Sequence, residues 1–107
     1  MRTSPLPGRR VRGSRTGRAI MALLDLLGRR WTLRILWELN AGRQNFRELR
    51  ARCDGMSPSV LNLRLAELRE AGIVDHADDG YGLTRSGRDL LKAFTPLNDW
   101  SKRWRNK

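Results

Sequence analysis

The stretch SPSVLNLRLAELREAG, Ser57 to Gly72, constrains the fold most, because it carries the start signal, the apolar stripe and the stop signal of one helix. Ser57 suits the N-cap, where its hydroxyl accepts from an orphan backbone N–H, and Pro58 suits the first helical position, where no N–H is required. Leu61, Leu65 and Leu68 recur at helical spacing and fall on one face. Gly72 can adopt the left-handed C′ conformation, which would bring Ile73 against Leu68 in a Schellman-type contact. The opposite side presents Ser59, Asn62, Leu63 and Ala66, none of them a long acid. A short, mostly uncharged outer face near a helix N-terminus is what entry into a DNA major groove requires. By itself the pattern fits an ordinary amphipathic core helix equally well.

The flanking segments decide what such a helix docks on. Before it, Thr16 can cap a helix in which Ile20, Leu23, Leu24 and Leu27 form a stripe ending at Gly28. Arg30 to Asn40 then places Trp31, Ile35, Leu36 and Leu39 on one face, with Leu33 and Trp37 projecting from nearly the opposite one. A helix apolar on two sides is central, and Leu33 and Trp37 meet either the first helix or a second subunit. Ala41-Gly42-Arg43 breaks the pattern, and Asn45 and Phe46 introduce a short helix with Phe46, Leu49 and Cys53 inward. Asp54-Gly55-Met56 connects it to the Ser57 helix, which makes a helix-turn-helix. Ile73 to His76 reads as a strand, Asp78-Asp79-Gly80 as a hairpin turn and Tyr81 to Leu83 as the returning strand. The expected fold is mainly α with one small β-hairpin, a winged helix-turn-helix.

The last segment starts at Thr84, a plausible N-cap, and carries Leu90, Leu91, Phe94, Leu97, Trp100 and Trp104 along one stripe. Pro96 is expected to kink or divide it near Thr95. So much apolar surface exceeds what a hairpin and two short helices cover, so a dimer face is expected, with intrachain packing as the alternative. Its candidates are Ile20, Leu23, Leu24 and Leu27, then Leu33 and Trp37, then Phe94, Leu97, Trp100 and Trp104.

With 22 basic and 11 acidic side chains the chain has a formal charge of +11, which favours polyanionic partners. Six of the basic residues are the arginines of residues 1–18, where no acid occurs. Residues 1–17, rich in Arg, Gly, Pro and Ser, read as a disordered arm that either tracks phosphates or merely solubilises. Residues 18–107 are expected to form one domain. No run is apolar enough to span a membrane and no signal peptide is visible, so a cytoplasmic, nucleoid-associated protein is expected. With one Cys and one His, no carboxylate pair and no phosphate loop, neither an enzyme, a metal site nor a cofactor is expected. Cys53 reads as a buried or idle thiol, and His76 as a surface residue of the wing rather than a ligand.

LGRRWTLRIL (Leu27–Leu36), NFRELRARCDGMSPSVLNLRLAELREAGIV (Asn45–Val74) and YGLTRSGRDLL (Tyr81–Leu91) together resemble the HxlR-type winged-helix regulators of bacteria. The likeness spans roughly residues 19 to 105. It implies a homodimeric transcription factor with two recognition helices in successive major grooves and an interface made by the first and last helices. It also places Ser57, Pro58, Ser59, Asn62, Leu63 and Arg64 where recognition helices of that family meet DNA. Several such regulators sense electrophiles through a cysteine just before the first helix, whereas here Arg18 stands near that place. Asp75, Asp78 and Asp79 around the wing turn would repel phosphates, which makes the wing a poor contact surface.

The function expected from these readings is a DNA-binding repressor reading a pseudo-palindromic operator with helix 57–71. Asn62 and Ser59 are the candidates for base edges, and Arg47, Arg50 and Arg64 for phosphates. A small-molecule effector would have room in a cavity between the first helix, the Trp31 helix and the last helix. The competing expectation is a winged helix used for protein contact, with the acidic wing and apolar last helix as its surfaces.

Overall fold

The computed structural model describes residues 18–106; the basic arm and the Thr16 cap expected from the sequence lie outside the described residues. Five helices and a hairpin follow in the order α1 (Ala19–Leu27), α2 (Thr32–Leu39), α3 (Phe46–Arg52), α4 (Pro58–Glu70), β1 (Val74–Ala77), β2 (Gly80–Leu83) and α5 (Arg85–Arg105). This is a winged helix-turn-helix. Ile35 and Leu36 of α2, Leu49 of α3 and Leu61, Leu65 and Leu68 of α4 are almost wholly shielded from water, and Val74, Leu83 and Leu91 close the core around them. Burying one leucine stabilises by about 2 kcal/mol. Three on one side of α4 therefore fix its rotation, and that rotation decides which residues face outward.

The ends of these helices form as local chemistry dictates. Ser57 Oγ accepts from the Val60 N–H, and Pro58 opens α4. At the other end the Ile73 N–H donates to the Leu68 carbonyl and the Gly72 N–H to the Arg69 carbonyl, each at 3.0 Å, with Gly72 at φ +76°. That pair of bonds is the Schellman motif, and it turns the chain straight into β1. Helix α3 starts with a reciprocal capping box: Asn45 Oδ1 accepts from the Glu48 N–H, and the Glu48 carboxylate accepts from the Asn45 N–H. Asp54 and Gly55 both adopt positive φ to make the tight turn between α3 and α4.

The hairpin pairs Val74 with Leu83, Asp75 with Gly82, His76 with Tyr81 and Ala77 with Gly80. Asp78 and Asp79 form the connection, and Gly80, expected in the turn, belongs to β2. A further pairing has no counterpart in the sequence reading: Gln44 and Tyr81 exchange backbone hydrogen bonds of 3.0 and 2.8 Å, which ties the entry of α3 to the wing. Gly80 permits this approach, because a Cβ there would stand 2.4 Å from the Gln44 carbonyl oxygen.

Of the expected kink or division near Thr95, the division does not occur: α5 continues as one helix through Pro96. Proline withdraws one N–H donor, but Pro96 and Lys92 are both exposed, so water can reach the carbonyl left without its helical partner. No helix among the described residues is long and apolar enough to cross a membrane.

Candidate nucleic-acid interface

With its leucine face locked inward, α4 turns Ser59, Asn62, Leu63 and Ala66 to solvent, and Ser57 and Pro58 are exposed at its tip. The Ser57 and Ser59 hydroxyls lie 3.0 Å apart. Arg47, on α3, is exposed and has no ion pair among the described residues. Ser59, Asn62, Leu63 and Ala66 share one accessible face of α4, as the helix period required.

Arg64 and Arg50 depart from that surface. Arg64 turns inward: its Nε donates to the Arg30 carbonyl at 2.8 Å and its guanidinium pairs with Glu67 at 3.0 Å. Glu67 is itself 4% exposed and also receives Arg29, which pairs in turn with Asp25. Two arginines around one buried carboxylate tie α4 to the turn between α1 and α2. Sequence reasoning missed this cluster because Glu67 carries no apolar signal and its partner Arg29 lies 38 residues away. Arg50 donates to the Met56 carbonyl at 2.6 Å and reaches the Gly55 carbonyl at 3.3 Å, bracing the helix-turn-helix turn. Arg34 braces the same turn from α2, bonding the Asp54 carboxylate and the Arg52 carbonyl. Neighbouring Glu38 and Asp54 hold the Arg34 guanidinium more firmly protonated than usual. Two of the three arginines expected to meet phosphate, Arg50 and Arg64, thus help to position α4.

The acidic wing is less acidic than its sequence. Arg43 pairs with Asp75 and with Asp79, each at 2.7 Å, and donates to the Gly80 carbonyl. Hydrogen bonding to Asp75 and then Asp79 raises the Arg43 pKa above its ordinary value. The Arg43 side chain lies across Gly82, where a Cβ would collide with it at 2.3 Å. Of the three wing acids only Asp78 has no ion pair among the described residues.

Further exposed apolar side chains stand on α1, α2 and α5. Ile20, Leu24, Leu33, Trp37, Leu97, Trp100 and Trp104 are all between 45 and 62% exposed, far more than such side chains are in a closed core. The Trp100 and Trp104 rings stack at 5.8 Å, one helical turn apart. Leu23 and Phe94 are partly buried against the core, and Leu27, expected in the same face, is buried in the chain's own core at 6% exposure. Leu27 is corrected on that account: Ala22, Leu26 and Leu27 make the inward side of α1, so only Ile20 and Leu24 of the stripe stay outside. Leu33 and Trp37 do not close onto α1 but line, with Leu91, Phe94 and Leu97, an open groove of about 350 Å³ between α2 and α5. The effector cavity expected among three helices is therefore a two-helix groove, since α1 contributes no wall to it.

Cys53 is wholly buried, and desolvation pushes its thiol pKa up, the opposite of what an activated thiolate needs. Trp31 adopts φ +78° as the cap of α2, with the Arg30 guanidinium 6.0 Å from its ring centre. That left-handed residue makes the sharp α1–α2 turn possible, and nothing in its sequence context announces it.

Comparison with known proteins fits this geometry. The chain is 40% identical over 98 residues to an uncharacterised HTH-type transcriptional regulator of Mycobacterium tuberculosis, covering 85% of this chain and 59% of that protein. It thus spans little more than half the length of its mycobacterial relatives. Among solved structures it is similar to quinone-bound YodB from B. subtilis, at 30% identity and a TM-score of 0.74 over 78% of this chain and 96% of that one. It is also similar to a possible HxlR family transcriptional factor from Thermoplasma volcanium, at 29% identity and a TM-score of 0.70 over 79% of this chain and 83% of that one. The profile of the HxlR-like helix-turn-helix family matches residues 26–107, and the chain belongs to that family of transcriptional regulators.

Proposed function

We propose that the chain binds double-stranded DNA as a homodimeric repressor, reading a pseudo-palindromic operator with the outer face of α4. The observation that carries this reading is the exposure of Ser59, Asn62, Leu63 and Ala66 on a helix whose other side is locked by three buried leucines. Asn62 can pair bidentately with an adenine edge, and Ser59 with either base type. Ser57, Pro58 and Leu63 complete the surface that enters the groove. Arg47 supplies phosphate contacts, while Arg50 and Arg64 act indirectly by holding the turn and the helix. The exposed apolar side chains of α1, α2 and α5 support a second copy as the partner, because two-fold protein symmetry would match a pseudo-palindrome with half-sites about one helical turn apart.

The competing reading, a protein-contact module using an acidic wing, loses support from Arg43, which neutralises two of the three wing acids. Gel-shift titration against random duplex separates the two. The DNA reading expects binding at low salt whose log affinity falls by about 0.9 per log unit of salt for each phosphate engaged. No binding at low salt would favour the protein-contact reading.

A further inference from the structure

Among the described residues eight large apolar side chains are exposed; seven stand on α1, α2 and α5, and Leu63 stands alone on α4. Ser59 and Ala66 lie three or four positions from both Asn62 and Leu63, the spacings that bring helical side chains together. The four make one small patch, half polar and half apolar. The charged groups of α4 stand apart from it. Arg64, the one charged residue between Ser57 and Ala66, is bonded to the Arg30 carbonyl and to Glu67, and Glu67 is buried. Arg69 and Glu70 are exposed, but Arg69 comes seven residues after Asn62, about 10 Å farther along the helix, whereas the N-terminal part of a recognition helix is what meets base edges.

We infer that α4 reads A·T pairs, with Asn62 on adenine and with Leu63 and Ala66 against thymine 5-methyl groups. The inference rests on the proposed DNA reading and names the bases that this face can recognise. In the major groove guanine is recognised by an arginine or lysine at its O6 and N7, and cytosine by a carboxylate at its N4 amino group. Between Ser57 and Ala66 no side chain of either kind is turned outward. An asparagine amide matches instead the N6 and N7 of adenine, and the thymine methyl is the one apolar group that a base edge shows there. Leu63 therefore leaves water only where a thymine stands opposite it. The Ser59 hydroxyl both donates and accepts, so it discriminates little. Residues spaced as Leu63 and Ala66 are have Cβ atoms about 5 to 6 Å apart, and base pairs stack roughly 3.4 Å apart, so the two side chains can meet methyl groups one or two steps from each other.

The test is selection by the full chain from a random duplex pool, after which the enriched duplexes are copied with dUTP in place of dTTP, which removes the methyl groups and keeps the pairing. The enriched half-site should consist mainly of A·T pairs. The parent should bind the uracil copies at least about tenfold more weakly than the thymine duplexes, because one buried carbon is worth about fourfold and each half-site offers two. For Leu63→Ser that loss should be smaller by at least about fourfold, and Leu63→Met, which restores an apolar contact, should show the loss of the parent. Leu63 is exposed, and a thermal melt verifies that both variants are folded. A G·C-rich motif, equal affinity of the parent for thymine and uracil duplexes, or an undiminished uracil penalty in Leu63→Ser would overturn thymine reading and leave base recognition by α4 standing. No enrichment by the parent would overturn both.

Discussion

The outer face of α4 exposes Ser59, Asn62 and Ala66, whereas α1, α2 and α5 expose Leu24, Trp37, Trp100 and Trp104. Both lie on helices with an apolar stripe, yet the stripe of α4 is consumed by the chain's own core and that of α5 is not. The difference lies in what stands opposite each stripe. Three α4 leucines meet Ile35, Leu36 and Leu49, whereas beyond Phe94 helix α5 faces only the open groove toward α2, and Leu97, Trp100 and Trp104 stay exposed. A polar surface of short side chains discriminates by hydrogen bonding and responds to salt. An exposed stripe of tryptophans instead gains by leaving water, at about 25 cal/mol per Å² buried, and responds to concentration.

Four changes would break or sharpen that contrast. The largest effect is expected at the joint between the two faces: Glu67→Ala leaves Arg29 and Arg64 without their buried carboxylate and should destabilise the fold by about 3 to 5 kcal/mol in urea titration. Next, Trp100→Glu should leave the monomer folded but shift sedimentation from dimer to monomer and weaken binding to DNA by roughly thirtyfold, the scale of an interface hot spot. An unchanged sedimentation coefficient would assign the apolar face to another partner. A smaller change is expected for Arg43→Ala, which frees Asp75 and Asp79 to face the DNA and should lower affinity by about threefold at low salt, with the loss fading as salt screens it. The smallest concerns Leu63, the one large apolar group on the polar face: Leu63→Ala should leave the oligomeric state untouched.

The sequence made legible whatever is encoded in consecutive residues. The Ser57-Pro58 start, the Leu61, Leu65 and Leu68 stripe and the Gly72-Ile73 stop recur in the structure as cap, core face and Schellman bonds. The hairpin was legible for the same reason, with its strand beginning one residue later than expected. What stayed hidden joins residues distant in the chain. Arg43 meets Asp79 across 36 positions, Arg64 meets the Arg30 carbonyl across 34, and a single Gln44–Tyr81 pairing leaves no periodic trace. These contacts reassigned the arginines: composition identified a basic protein, but only the fold separates Arg47, exposed and without an ion pair among the described residues, from Arg50 and Arg64, which hold the scaffold. Pro96 shows a third kind of miss, in which a local breaker is tolerated because solvent can satisfy the carbonyl it orphans.

Base reading by the outer face of α4 is tested most directly by selection of bound sequences from a random duplex pool, with the parent and Asn62→Ala run side by side. The parent should enrich a two-fold related motif, and Asn62→Ala should enrich the same motif with one position of each half-site relaxed. Identical motifs from the two proteins would remove Asn62 from the reading surface, and no enrichment by the parent would contradict base reading by α4 altogether.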